Sequence, residues 1–280
     1  MARNNPARAR FRALIRGPDS QINLAEAALC IAWEDQGSGC PEQWLREIDQ
    51  IAERVRPRLA KLSDPSDLVN ALNRFLFGEL GFRGNTWNYN DPANSFLDQV
   101  LATRTGLPIT LTVIYMEVGW RLGLPICGLA LPGHFLARFV GPASEIYIDP
   151  FNRGRIWSRA ECVTQIATFY GDAAPALVAQ IMEPPSRRAV LARILRNLKS
   201  LYVERQALTE SLAAADRILL IEPDNPQEVR DRGLLRARLG EWSGALDDLE
   251  RYARMAPRAP DMPQIERQAR AIAARAAAGN

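Results

Sequence analysis

PITLTVIYMEVGWRL, residues 108–122, opens on a proline and then runs apolar around most of a helical circumference. Ile109, Leu111, Val113, Ile114, Val118 and Leu122 cover most faces. The polar side chains Thr110, Glu117 and Arg121 recur at i, i+7 and i+11, in one narrow stripe. A helix that is apolar on most sides is buried on most sides. The stretch therefore predicts the central helix of a domain, with Pro108 at its first position, where the missing N–H costs nothing.

Downstream the period changes. ICGLAL (126–131), HFLARFV (134–140) and EIYID (145–149) are short, apolar or alternating, and separated by Pro-Gly and Gly-Pro-Ala-Ser turns. They predict strands of an antiparallel sheet. If the last two form a hairpin turning between Gly141 and Pro142, His134 and Asp149 face each other on one side, within side-chain reach. A carboxylate beside an imidazole fixes its tautomer and stabilises the imidazolium, which is the second half of a nucleophile–base–orienter triad. Ser158-Arg-Ala-Glu161 is a capping box that opens another helix.

Upstream the chain reads as helices. Leu24, Ala28 and Ile31 mark one over 22–33; Trp44, Ile48, Ile51 and Val55 mark another over 41–57. Asp64-Pro65 predicts an N-cap and first helical position, with Leu68, Leu72, Phe75 and Leu76 as the buried stripe. Residues 85–92 (NTWNYNDP) predict a polar loop whose Trp87 and Tyr89 pack over something. Asn94 is expected to cap a helix running from Ser95 to Thr105 that Gly106 closes. Helices, one buried central helix and then an antiparallel sheet make an α+β domain over residues 20–183. Residues 1–19 carry Arg3, Arg8, Arg10, Arg12 and Arg16 before the first acid, Asp19, and predict a solvated basic arm.

From residue 184 the pattern repeats. Pro223 and Pro257, Pro226 and Pro260, Leu201 and Leu235, and Leu212 and Leu246 each share one spacing of about 34 residues, the tetratricopeptide period. Gly233 and Ala245 fall where small residues let paired helices approach, with Lys199 and Ser211 in those places one repeat earlier. A tetratricopeptide-type helical region is expected over 184–280, starting at Pro184-Pro185.

Composition excludes several classes. A net charge of +3 over 280 residues does not call for a nucleic-acid partner, and the cations are spread along the chain. No run reaches the ~18 apolar residues a membrane helix needs. Cys30, Cys40, Cys127 and Cys162 show no C-x-x-C spacing, and His134 is the single histidine, so no metal or other cofactor is expected. Scattered cysteines suit a reducing compartment, hence a cytoplasmic location.

The runs GFRGNTWNYNDPANSFLDQVLATRTGLPITL, LPGHFLARF and YIDPFNRG resemble the SirB-type bacterial proteins. The resemblance implies a papain-like, transglutaminase-like core followed by tetratricopeptide repeats. It matches His134 and Asp149 to the superfamily's catalytic histidine and aspartate. It also aligns Gly106-Leu107-Pro108 with the Gly-x-Cys of the nucleophile, so Pro108 stands where the thiol would be.

Two functions follow as expectations. One is a non-catalytic, regulatory pseudo-enzyme that binds a protein or peptide through its helical repeats. The other is a hydrolase-like enzyme using His134–Asp149 as general base on water or on the Thr110 hydroxyl. In the second case Trp87, Asn88, Tyr89, Pro108, Thr110, Glu117 and Arg121 would line the pocket.

Overall fold

A computed structural model describes residues 5–142 and 144–278. By internal contacts the chain divides between Leu191 and Ala192.

The first unit begins with α1 (Pro6–Leu14) and α2 (Leu24–Gln36). The segment read as a solvated arm is thus largely helical. Ala7, Phe11 and Ile15, at i, i+4 and i+8, are buried, and the Asn5 side chain caps the helix by accepting from the Ala7 and Arg8 amides. Two of its three arginines are held as well: Arg8 pairs with Glu34 at 2.5 Å and Arg10 with Glu26 at 2.6 Å and with Glu42. The cationic spacing hid an amphipathic helix whose charged face is neutralised by α2 and its successor.

That successor is α3 (Pro41–Leu59), followed by α4 (Pro65–Asn73), which Asp64 caps by accepting from the Ser66 and Asp67 amides. A π-helical turn, Arg74–Glu79, leads to β1 (Arg83–Gly84). Next come α5 (Leu97–Thr103) and β2 (Thr105–Gly106), which pairs with β1 in parallel. The cap differs from expectation. Phe96 is the N-cap, and α5 ends at Arg104 in the left-handed region, φ 60°, rather than at Gly106. Asn94 is buried and used elsewhere, as described below.

The central helix α6 (Pro108–Arg121) is buried from Pro108 through Gly119. It packs on β3 (Ile126–Leu129) and β4 (Leu136–Val140). The sheet continues through β5 (Glu145–Asp149) to β6 (Arg155–Trp157), in the order β3-β4-β5-β6, all antiparallel. Gly119 is needed for the closeness of α6 to the sheet, since a Cβ there would lie 2.5 Å from Ile126. On the opposite face α7 (Arg159–Tyr170) and α8 (Ala174–Ile181) cover Leu129, Leu136 and Tyr147 through Cys162, Ile166 and Val178. The capping box at α7 is present: Ser158 Oγ accepts from the Glu161 amide, and the Glu161 carboxylate accepts from the Ser158 amide.

The division at Leu191/Ala192 falls inside α9 (Arg187–Glu204), beyond Pro184-Pro185. The reason is local. The amides of Arg187 and Arg188 both donate to Asp19 at 2.9 Å, and the Arg187 guanidinium lies 4.5 Å over the Trp120 ring.

The second unit continues with α10 (Leu208–Ile221), α11 (Pro226–Arg238), α12 (Trp242–Met255) and α13 (Met262–Ala278). The small-residue positions of the repeat are where helices meet. A Cβ on Gly233 would sit 3.1 Å from Asp248 and Leu249, and Ala245 is fully buried. One repeat earlier, Ser211 Oγ donates to the Lys199 carbonyl at 3.1 Å, so a hydrogen bond replaces bare apolar contact. Among the described residues no helix is long and apolar enough to cross a membrane.

Candidate functional site

His134 sits just before β4, after a Pro132-Gly133 turn in which Gly133 adopts φ 69°. Asp149 ends β5 and is fully buried. His134 Nε2 and Asp149 Oδ2 are 2.8 Å apart. The register that brings them together differs from the sequence expectation. Ala137 pairs with Ile148, which centres the turn one residue later and sets Leu136 opposite Asp149. His134 is therefore diagonal to Asp149. A shift of two positions preserves side-chain parity, so the pair still shares a face.

Asn152, to which the sequence reading gave no role, completes the carboxylate's environment. Its amide N–H donates to Asp149 Oδ1 at 3.2 Å and its side-chain nitrogen to Oδ2 at 2.8 Å. The signal was a side-chain acceptor three residues before a polar residue in Asp-Pro-Phe-Asn, the pattern of an Asx-type turn. Burial pushes the Asp149 pKa up, but the hydrogen bonds from His134 and Asn152 outweigh it and hold the carboxyl below its usual range. An ionised carboxylate on Nε2 fixes the ring and directs its other nitrogen away from the pair.

Two aromatic rings contact the imidazole, and a third contacts one of them. Trp157 stacks on it with centroids 5.7 Å apart and planes 23° apart; Phe151 meets it edge-on at 6.1 Å; Tyr89 meets Phe151 edge-on at 6.0 Å. Phe151 is also held at its backbone, since Gly84 N donates to its carbonyl at 2.9 Å. The close approach requires glycine. A Cβ on Gly84 would lie 2.5 Å from the Phe151 ring, with backbone-proximal ring atoms in the way. We expect Gly84→Ala to cost about 2 kcal/mol by overpacking. Urea unfolding is the check, and a loss below about 0.5 kcal/mol would show that the ring can move aside freely.

The second turn of α6 meets the chain next to His134. Thr112 Oγ1 donates to the Phe135 carbonyl, next to His134, at 3.2 Å. Pro108 is one turn before Thr112 and shares its face of the helix, at ~100° per residue. Thr110 is rotated about 200° from Thr112, so the stripe that includes Glu117 and Arg121 points the other way. Those residues do not line the His134 cluster. Glu117 Oε1 accepts from the Ala25 amide at 2.9 Å, satisfying the start of α2, and Arg121 bonds Glu117 and Asp49, each at 2.5 Å. Thr110 Oγ1 is buried, donates to the Asn94 carbonyl at 2.7 Å and accepts from the Leu107 amide. All three serve as structural ties.

The loop 85–92 also departs from expectation. Trp87 packs over nothing and is 99% exposed, while Asn88 is exposed and Tyr89 about half so. Of its two rings only Tyr89 packs, edge-on to Phe151, and asparagines hold the rest of the loop. Asn94 Nδ2 donates to the Asn88 and Tyr89 carbonyls at 2.7 and 3.1 Å, and Asn85 Nδ2 donates to Asn94 Oδ1 at 3.0 Å. Asn94 thereby links the loop to the start of α6, and a position read as a cap proves to be the hub of the site's rim.

The four cysteines are free thiols. Cys30 and Cys162 are buried, and burial pushes their pKa values up to about 12 and about 11. Cys127 pairs across β3 and β4 with Arg138, whose Nε lies 3.5 Å from the sulfur. Among the described residues no three His, Cys, Asp or Glu side chains group as metal ligands.

A buried helix packed on an antiparallel sheet that carries a His–Asp pair, with paired helices following, defines a papain-like α+β core joined to a helical repeat region. The chain belongs to the transglutaminase-like superfamily, whose family model matches residues 42–196, more than half its length. A tetratricopeptide-repeat model matches residues 198–270.

The relatives agree with the SirB-type resemblance. A UPF0162 protein of Xylella fastidiosa (strain Temecula1) is 39% identical over 241 residues, 85% of this chain and 86% of that protein. Protein SirB1 of Salmonella typhimurium is 26% identical over 235 residues, 81% of this chain and 84% of its own. F-box only protein 21 of Mus musculus is 31% identical over 189 residues, 63% of this chain but 29% of that protein.

Proposed function

We propose that this protein is a transglutaminase-like pseudo-enzyme that acts in the cytoplasm by binding another protein, with the repeat helices as the binding part. The observation that carries this reading is Pro108. It occupies the first position of α6, on the face that Thr112 ties to the Phe135 carbonyl. A thiolate at a helix N-terminus beside an imidazole would be activated there, and proline offers no nucleophile. The nearest hydroxyl on the helix does not substitute for it. Thr110 points to the opposite side and its proton is committed to the Asn94 carbonyl.

The intact His134–Asp149 pair supports a second reading, a hydrolase in which His134 acts as base on water. Asp149 is poised for that role, being ionised and saturated with donors.

Turnover separates the two. Glutamine-containing peptides, with and without an amine acceptor, and p-nitrophenyl esters are incubated with wild type and with His134→Ala. We expect rates at background for both. Turnover that disappears in His134→Ala overturns the pseudo-enzyme reading. Thiol labelling adds an independent check at pH 6, where an ordinary thiol is less than ~1% thiolate. All four cysteines should label slowly, whereas fast labelling of Cys127 that vanishes in His134→Ala would restore a thiol mechanism.

A further inference from the structure

The repeat region contains a groove of about 750 Å3 lined by the C-terminal halves of α9, α11 and α13 and by the first residue of α12. Its floor is apolar, with Leu234, Leu235 and Ile272 flanked by Trp242. Its polar groups divide into two kinds. At the inner end Lys199 is already neutralised, with Nζ 2.6 Å from Glu228 and 2.7 Å from Asp231. Asp231 is further engaged by Arg230 at 2.8 Å. Arg238 and Arg275, in the last turns of α11 and α13, are exposed at the outer end, and the remaining acid of the lining is Glu204. Among the described residues Arg238 has a neutral partner, donating to Gln206 Oε1 at 2.7 Å.

Helix C-termini carry partial negative charge on free carbonyls, which would offset those arginines. On α9 and α11 most of those carbonyls are already hydrogen-bonded. The amides of Arg205, Gln206 and Ala207 satisfy the last carbonyls of α9, and those of Leu239, Gly240 and Glu241 satisfy the last of α11. Counting side chains, two arginines against one carboxylate leave this end net positive.

Resting on the protein-binding reading above, we propose that this groove takes an extended segment of a partner protein with apolar side chains followed closely by acidic ones. The apolar side chains seat on Leu234, Leu235 and Ile272, and the carboxylates meet Arg238 and Arg275. The distance suits an extended chain. One helical turn, about 5 Å, separates Leu234 from Arg238, which one to two residues of extended peptide span at ~3.3 Å each.

The test uses the full chain and three fluorescein-labelled peptides read by fluorescence anisotropy. One carries Gly-Ser-Gly-Ile-Leu-Asp-Glu-Gly-Ser, one has both acids changed to lysine, and one has Ile and Leu changed to serine. Wild type should bind the first about tenfold or more tighter than either of the others, and added salt should weaken that binding. The double variant Arg238→Glu, Arg275→Glu should invert the order of the acidic and lysine peptides. Both positions are exposed, so its thermal midpoint should match wild type. A wild-type preference for the lysine peptide, or a ranking unmoved by the double reversal, overturns the charge assignment and leaves protein binding standing. Binding of none of the three overturns the groove as a docking site. Turnover dependent on His134 would defeat the pseudo-enzyme reading without changing this peptide result.

Discussion

Asp149→Ala is expected to destabilise the first unit by about 3–5 kcal/mol, the range for removing one partner of a buried, hydrogen-bonded charge pair. The carboxylate is fully buried and accepts from His134 Nε2, the Asn152 amide and the Asn152 side chain. Its loss strands three donors at once. Asp149→Asn keeps the shape and one acceptor but removes the charge that strengthens these bonds roughly twofold, so its cost should be about half as large.

The pH dependence has a definite sign. The folded Asp149 pKa lies below the unfolded carboxylate value. Its contribution is therefore present above about pH 4, the unfolded value, and is lost as pH falls through the folded one. Urea unfolding of wild type and Asp149→Ala at neutral pH and then towards pH 3 should show the gap narrowing with acid. A neutral-pH cost under 1 kcal/mol, or a gap that widens with acid, would mean the pair is not held as described.

Phe11→Ala is expected to cost about 3–5 kcal/mol, as for other large aromatic truncations in well-packed cores. Phe11 is fully buried between α1 and α2, and Ala7 and Ile15 extend the same face. If residues 6–14 were a solvated arm, this substitution would change nothing. The measurement is the urea midpoint with the slope unchanged, which separates lost stability from altered cooperativity. A shift equivalent to less than 1 kcal/mol would return the segment to the status of a loose extension.

How much was legible can be read from these two cases. The helix 108–122 announced itself because almost every position is apolar, a pattern only a helix buried on most faces satisfies. The repeat region was visible for a similar reason: a period near 34 persists in proline and leucine positions whatever the surface residues do. His134 and Asp149 were found together because strand side chains alternate strictly, and parity survives a hairpin centred one residue away from the expected place.

The amphipathic face of α1 escaped because Ala7, Phe11 and Ile15 are interleaved with arginines whose acids, Glu26, Glu34 and Glu42, come from elsewhere in the chain.

What the amino-acid sequence determined alone is therefore what periodicity and local capping encode: the α+β order, the buried central helix, the repeat, and the sharing of one sheet face by His134 and Asp149. Tertiary structure decided the rest. It committed Thr110, Glu117 and Arg121 to structural hydrogen bonds, made Asn94 a hub, left Trp87 exposed, and set Phe151 and Trp157 around His134. Each of those outcomes depends on which distant atoms fill the space around a side chain. Spacing along the chain carries no record of that, because burial and hydrogen-bond partners are properties of the packed whole.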